Sequence, residues 1–182
     1  MAIILKNDDF KVMPWKNGGG ISIELYKIPH SSDSDRFYFR LSVANVEMDG
    51  PFSLFPGIDR SLVCLSGNGF RLNFNDHVKI LSPLDMIDFK GEEKIFCELV
   101  QGPCQDFNMM VDSTWAKVII EIRDLLPKKN ENICSEFKSF NFLHLPSPVL
   151  IVLEPNEAYE VQVNEPIKLI TVKLFQFLSC TI

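Results

Sequence analysis

The chain has 182 residues, 46% apolar and 23% charged, which reads as an ordinary soluble globular protein with room for one large domain or two small ones sharing a core. A net charge of −6 and a pI near 5.1 leave no basic stripe to offset phosphate repulsion, so nucleic acid is not an expected partner. No apolar run reaches the length of a membrane span, and Ala2-Ile3-Ile4-Leu5 meets Lys6, Asn7, Asp8 and Asp9 too soon for a signal peptide, so no membrane partner and a cytoplasmic location are expected.

In chain order, Phe10-Lys11-Val12-Met13 reads as a short strand leading into Met13-Pro14-Trp15-Lys16-Asn17-Gly18-Gly19-Gly20. Three consecutive glycines permit positive φ and close backbone approach. The run lacks the spacing of a phosphate-cradling loop, and a strand follows it where such a loop needs a helix. In that strand Ile21, Ile23 and Leu25 alternate with Ser22, Glu24 and Tyr26. Pro29 to Asp35 is a polar loop holding His30 and Ser34. Phe37 to Ala44 is the next strand, with Phe37, Phe39, Leu41 and Val43 on one face and Tyr38, Arg40, Ser42 and Ala44 on the other. Arg40 either faces solvent or points into a polar interior, where Glu24 is its natural partner.

Turn signals at Asp49-Gly50-Pro51 and Pro56-Gly57 bracket Phe52 and Phe55. Strands are then expected at Ile58–Leu65, Phe70–Phe74, His77–Leu81, Met86–Phe89, Ile95–Val100 and Asp106–Val111. A strand from Trp115 to Ile122 precedes a charged insert, Arg123 to Lys138, within which Pro127 to Asn132 reads as a loop. The insert holds the weak helix candidates, near Arg123 and over Asn132–Lys138. Phe140–Leu145, Val149–Leu153, Tyr159–Val163 and Ile167–Phe177 complete the series. Strands recurring about every ten residues between Gly, Pro and Asn turns predict an all-β sandwich or barrel. The natural division lies near residue 112, giving halves 1–112 and 113–182 pressed into one unit without a linker.

Five cysteines, Cys64, Cys97, Cys104, Cys134 and Cys180, are widely spaced and include no CxxC pair. They predict reduced thiols, with Cys64 and Cys97 in the core, and no structural zinc. His30, His77 and His144 lie in three distant segments and form no His-x-His pair, so no catalytic metal and no cofactor are expected. Nothing ties a serine or cysteine to a histidine as a nucleophile pair.

The motif at 13–20 with Glu24, Arg40-Leu41-Ser42-Val43-Ala44, Asp49 to Gly57, Arg60, Ser66-Gly67-Asn68-Gly69 and Asp106-Phe107-Asn108-Met109-Met110 resembles the HutD/Ves family over about residues 10–112. Val111, Asp112 and Ser113 follow where the family pattern has basic residues. The resemblance implies a bicupin, two cupin-like β-sandwich halves packed together, in a bacterial cytoplasmic protein. It implies association with histidine utilisation, through binding of a small acid such as urocanate or formylglutamate, or with stress. No enzymatic activity is settled for such proteins.

The residues themselves allow a recognition site for a small acid. Lys16, Arg40 and Arg60 supply positive charge, Asn17 and Asn108 amides, Ser22 and Ser42 hydroxyls, and Trp15, Phe52 and Phe55 apolar walls. Arg60 is the preferred carboxylate clamp, because its fork matches two oxygens. Glu24 orients Arg40 or Lys16, or touches the ligand. Asp49 and Asp106 are turn caps or ligand contacts. The expected partner is thus a small carboxylate bound without turnover. A metal-independent isomerase or hydrolase using Glu24 or Asp106 as acid–base group is the alternative. A protein-interaction module is a third, and an exposed edge strand would permit a homodimer.

Overall fold

The structure, a computed structural model, describes residues 1–33, 35–127, 129–145 and 147–177. Ser34, Lys128 and Cys180 therefore lie outside the described residues. The chain divides into two compact units, one spanning Lys11–Trp115 and the other combining Met1–Phe10 with the chain from Ala116.

Seventeen strands are described. They begin with β1 (Ile3–Leu5), β2 (Lys11–Pro14), β3 (Gly20–Pro29), β4 (Phe37–Val46), β5 (Gly50–Pro51) and β6 (Ile58–Ser66). There follow β7 (Phe70–Asn73), β8 (Val78–Leu81), β9 (Met86–Lys90), β10 (Phe96–Leu99) and β11 (Cys104–Asp112). The last are β12 (Ala116–Leu125), β13 (Lys129–Cys134), β14 (Lys138–His144), β15 (Val149–Leu153), β16 (Ala158–Val163) and β17 (Ile167–Gln176). A 3-10 turn at Asn7–Asp9 is the helical element among the described residues, so the all-β expectation holds. No described helix is long and apolar enough to cross a membrane.

The helix candidates and the loop in the charged insert are corrected. β12 runs through Arg123 to Leu125, and β13 occupies Lys129–Cys134, pairing antiparallel with β16 from Lys129 opposite Val163 to Cys134 opposite Ala158. Ile133 is 2% exposed and anchors the strand to the core, while Asn130, Asn132 and Cys134 stay exposed. A polar run is stable as a strand here because its partner supplies the ladder and its few inward positions supply the burial.

In the Lys11–Trp115 unit, a six-stranded antiparallel sheet of order β2-β3-β4-β11-β6-β9 accompanies a four-stranded one of order β5-β10-β7-β8. Leu62, Cys64, Phe70, Leu72, Leu81, Phe89 and Cys97 form the core. Register arranges one face of the larger sheet in rows. The first runs Met13, Ser22, Ala44, Asp106, Cys64. The second runs Glu24, Ser42, Asn108, Leu62, and the third runs Lys27, Arg40, Met110, Arg60, Phe89.

The β3–β4 register shifts between Glu24 and Tyr26, leaving Leu25 as the extra residue. Tyr26 thus pairs with Leu41 and sits on the face opposite Ser22 and Glu24, which corrects the strict alternation expected there. The bulge moves Lys27 onto the face of Arg40.

In the other unit, a five-stranded sheet, β1-β15-β14-β17-β12, accompanies the β13-β16 pair. Its buried polar residues satisfy one another. Asn141 Nδ2 donates to Ser139 Oγ at 3.0 Å and to the Ile151 carbonyl at 3.2 Å, and Thr171 Oγ1 donates to Asn141 Oδ1 at 2.9 Å.

Candidate functional site

The glycine motif closes as a tight loop at the start of β3. Trp15 N donates to the Gly20 carbonyl at 2.9 Å and Gly18 N to the Trp15 carbonyl at 3.0 Å. Gly18 takes φ +70°, in the left-handed region, and Asn17 Oδ1 accepts from Gly19 N at 3.0 Å. Gly20 is required by proximity: a Cβ there would sit 2.2 Å from the Asn45 carbonyl oxygen and 3.3 Å from the Trp15 ring. The indole is anchored to β3, its Nε1 donating to Ser22 Oγ at 2.9 Å.

This loop, the Pro51–Phe55 segment and the three-row face of the large sheet enclose a cavity of about 450 Å³. Ten of the eleven residues expected at the site line it: Trp15, Lys16, Asn17, Ser22, Arg40, Ser42, Phe52, Phe55, Arg60 and Asn108. Glu24 is not among the lining residues. It binds Arg40 Nε at 3.0 Å, with both side chains under one-fifth exposed, so Arg40 is interior and paired.

Arg60 is 5% exposed. Its guanidinium carbon lies 4.7 Å from the Phe89 ring centroid, 5.4 Å from Phe52 and 5.5 Å from Phe55, an aromatic cage for the cation. Nη1 donates to the Ser53 carbonyl at 3.3 Å, whereas Nε is buried without a hydrogen-bond partner. Burial pulls its pKa down to about 10, against the attraction of Asp106, so it stays charged at neutral pH.

From its residues alone Asp106 is a turn cap or a ligand contact. It lines the cavity at 2% exposure, and burial pushes its carboxyl up to about 7 despite Arg60. Asp106 Oδ1 and Asn108 Oδ1 are buried without hydrogen-bond partners. The signal for Asp106 was present: it stands two residues before Asn108 and shares its face. The same spacing places Met110 and Ala44, which also line the cavity with Met13, Pro14, Pro51 and Ser53. Asp49 lies elsewhere, its Oδ1 accepting from Leu99 N at 2.8 Å.

The three histidines stand in separate surroundings. The His30 ring is 4.5 Å from Tyr38, the His77 ring stacks 4.3 Å from Phe74, and His144 is partly buried, which lowers its pKa. Among the described residues no group of three His, Cys, Asp or Glu side chains is placed to hold a metal. Asp112 Oδ1 accepts from Thr114 N at 2.9 Å, and Asp112 pairs with Arg36 at 3.3 Å. Cys64, Cys97 and Cys104 are free, buried thiols, and Cys134 is free and exposed.

A model of the HutD family matches residues 7–157. A Pseudomonas putida protein described as an uncharacterized 21.2 kDa protein in the hutC 3′ region is 38% identical over 108 residues, covering 59% of this chain and 56% of that protein. Protein Ves of Escherichia fergusonii is 31% identical over 121 residues, covering 64% of this chain and 62% of Ves. The chain thus spans between half and two thirds of the length of these curated relatives. The solved structure of HutD from Pseudomonas fluorescens SBW25 superposes with a TM-score of 0.74 at 22% identity, covering 98% of this chain and 100% of that one, a likeness of fold.

Proposed function

The chain belongs to the HutD family, and from that premise we propose that it binds a small carboxylate in the Lys11–Trp115 cavity without transforming it, the acid seated on Arg60. One observation carries this reading: Arg60 is a buried cation whose Nε has no partner and which forms no ion pair among the described residues. A buried charge is costly until an anion completes it. Arg40 is already neutralised by Glu24, and the exposed Lys16 at the cavity wall supplies attraction for an incoming anion. A volume near 450 Å³ suits a compact acid, and urocanate and formylglutamate are the ligands proposed. The hutC neighbourhood named for the P. putida relative supports a role beside histidine utilisation.

In this reading each unit is one cupin-like half, which the pairing of a larger with a smaller sheet in each supports. Three buried thiols suit a reducing, cytoplasmic setting.

Thermal unfolding against urocanate, formylglutamate, glutamate and histidine tests the proposal. A ligand of the native state raises stability by about 2.7 kcal/mol at a hundredfold over its Kd. A rise with one acid that disappears in Arg60→Ala supports it, and no rise with any acid defeats it. A second reading, metal-independent acid–base catalysis, rests on Asp106, a carboxyl poised near 7 in a cavity. Turnover of a bound acid that is lost in Asp106→Asn would put that reading first.

A further inference from the structure

Seating an anion on Arg60 changes the balance of buried charge in the cavity. Asp106 is 2% exposed, lines the same cavity and has an Oδ1 without a hydrogen-bond partner. One row of the sheet lies between it and Arg60, on the same face. On β6, Cys64 stands directly opposite Asp106, its thiol pushed up to about 12 by burial. On β4, Arg40 is held by Glu24 of β3. Burial raises the Cys97 thiol of β10 as well, and Cys104 of β11 donates to the Gly69 carbonyl at 3.1 Å. Lys16 of the glycine loop lines the wall and is exposed.

Burial lifts the Asp106 carboxyl to about 7, and the field of Arg60 works against that rise. An anion on Arg60 cancels that field and brings a further negative charge into the cavity. An ionised Asp106 is then a buried carboxylate with its opposing charge already taken. A proton drawn from solvent onto the carboxylate relieves this and makes Asp106 an O–H donor. The amide of Asn108, on the row between, adds N–H donors beside it.

We propose that the cavity binds its acid together with a proton: the carboxylate on Arg60, the proton on Asp106, which then donates to an acceptor on the far part of the ligand. This rests on the carboxylate reading of Arg60 and adds how that site responds to pH. Formylglutamate offers the acceptor in its second carboxylate, and urocanate offers it in its ring nitrogen. Affinity is full where Asp106 already holds its proton and falls as pH rises above about 7, because binding must then draw a proton from solution. Arg60, at about 10, and the Cys64 thiol, at about 12, keep their charge states between pH 7 and 8.5.

The test is titration calorimetry with formylglutamate and with urocanate at pH 7.0 and 8.5, each in two buffers of different ionisation enthalpy. The difference in heat between buffers counts the protons taken up. At pH 8.5 the wild-type chain is expected to take up about one proton per acid bound and to bind about fivefold or more weaker than at pH 7.0. Asp106→Asn keeps the shape of the acid and cannot ionise. Once circular dichroism shows its strand signal intact, it is expected to bind equally at both pH values without proton uptake. Uptake that survives in Asp106→Asn overturns the assignment to Asp106. Wild-type binding that is independent of pH, takes up no proton and is lost in Arg60→Met overturns the coupling and leaves the carboxylate reading standing. Proton release on binding overturns the coupling as well. Binding of neither acid at millimolar concentration overturns both.

Discussion

The guanidinium of Arg60 on β6 and the carboxyl of Asp106 on β11 stand on the same face of one sheet and line one cavity, yet form no ion pair among the described residues. One row of the sheet, that of Ser42 and Asn108, lies between theirs, and both of its residues also line the cavity. Both are buried, and each has one side-chain atom, Arg60 Nε and Asp106 Oδ1, without a hydrogen-bond partner.

Arg60→Met is expected to abolish the thermal shift produced by a carboxylate while leaving a folded chain, because an apolar side chain of similar length fills the phenylalanine cage. Arg60→Lys is expected to lose at least about tenfold in affinity, since an ammonium lacks the planar fork. Retention of full affinity in Arg60→Lys would show that charge alone suffices. Titration calorimetry of both variants decides.

Asp106 makes stability depend on pH in a direction unusual for a carboxylate. Its folded value is about 7 against an ordinary 3.8. Between these the folded chain holds a proton that the unfolded chain has released, so this group's contribution falls as pH rises from about 4 to about 7 and levels off above. Asp106→Asn is expected to flatten that slope and to gain on the wild type most at pH 8, by an amount on the order of a few kcal/mol. Chemical denaturation at pH 5 and pH 8 measures it; parallel pH profiles for the two chains would contradict the raised pKa.

Glu24 holds Arg40 at 3.0 Å in a largely buried pair. Glu24→Gln is expected to cost about 1–3 kcal/mol, because it leaves a second guanidinium uncompensated beside the cavity. A double-mutant cycle with Arg40→Met should recover much of that loss. Additive losses would mean that the pair is not coupled.

Gly20→Ala places a methyl 2.2 Å from the Asn45 carbonyl oxygen and against the Trp15 ring. The backbone must shift, at a cost of about 1–3 kcal/mol. The displaced indole should show as a change in tryptophan fluorescence, and an unchanged melting temperature would refute the close packing.

Burial raises the Cys64 thiol to about 12 and raises that of Cys97 as well, while Cys134 is exposed. Of the four cysteines described, Cys134 is expected to be alkylated in the folded chain, and Cys64, Cys97 and Cys104 only after denaturation. Peptide mapping after timed alkylation reads this directly.

The β fold and most of the site were legible in the residues. Alternation at Phe37–Ala44 identifies which face of β4 is apolar, and the Trp-Lys-Asn-Gly-Gly-Gly run marks a loop that only glycine can close. Both signals are local, carried by a period of two and by backbone sterics. The tertiary structure decided what depends on partners far along the chain. β13 forms from a polar run because β16 pairs with it. One extra residue at Leu25 exchanges the faces of Tyr26 and Lys27. Arg40, Arg60 and Asp106 meet at one cavity because β11 pairs with β4 on one side and β6 on the other. Pairing register is a non-local property, set by the packing of whole sheets. A single strand's sequence says which of its residues share a face, and the neighbouring strands decide what that face encloses.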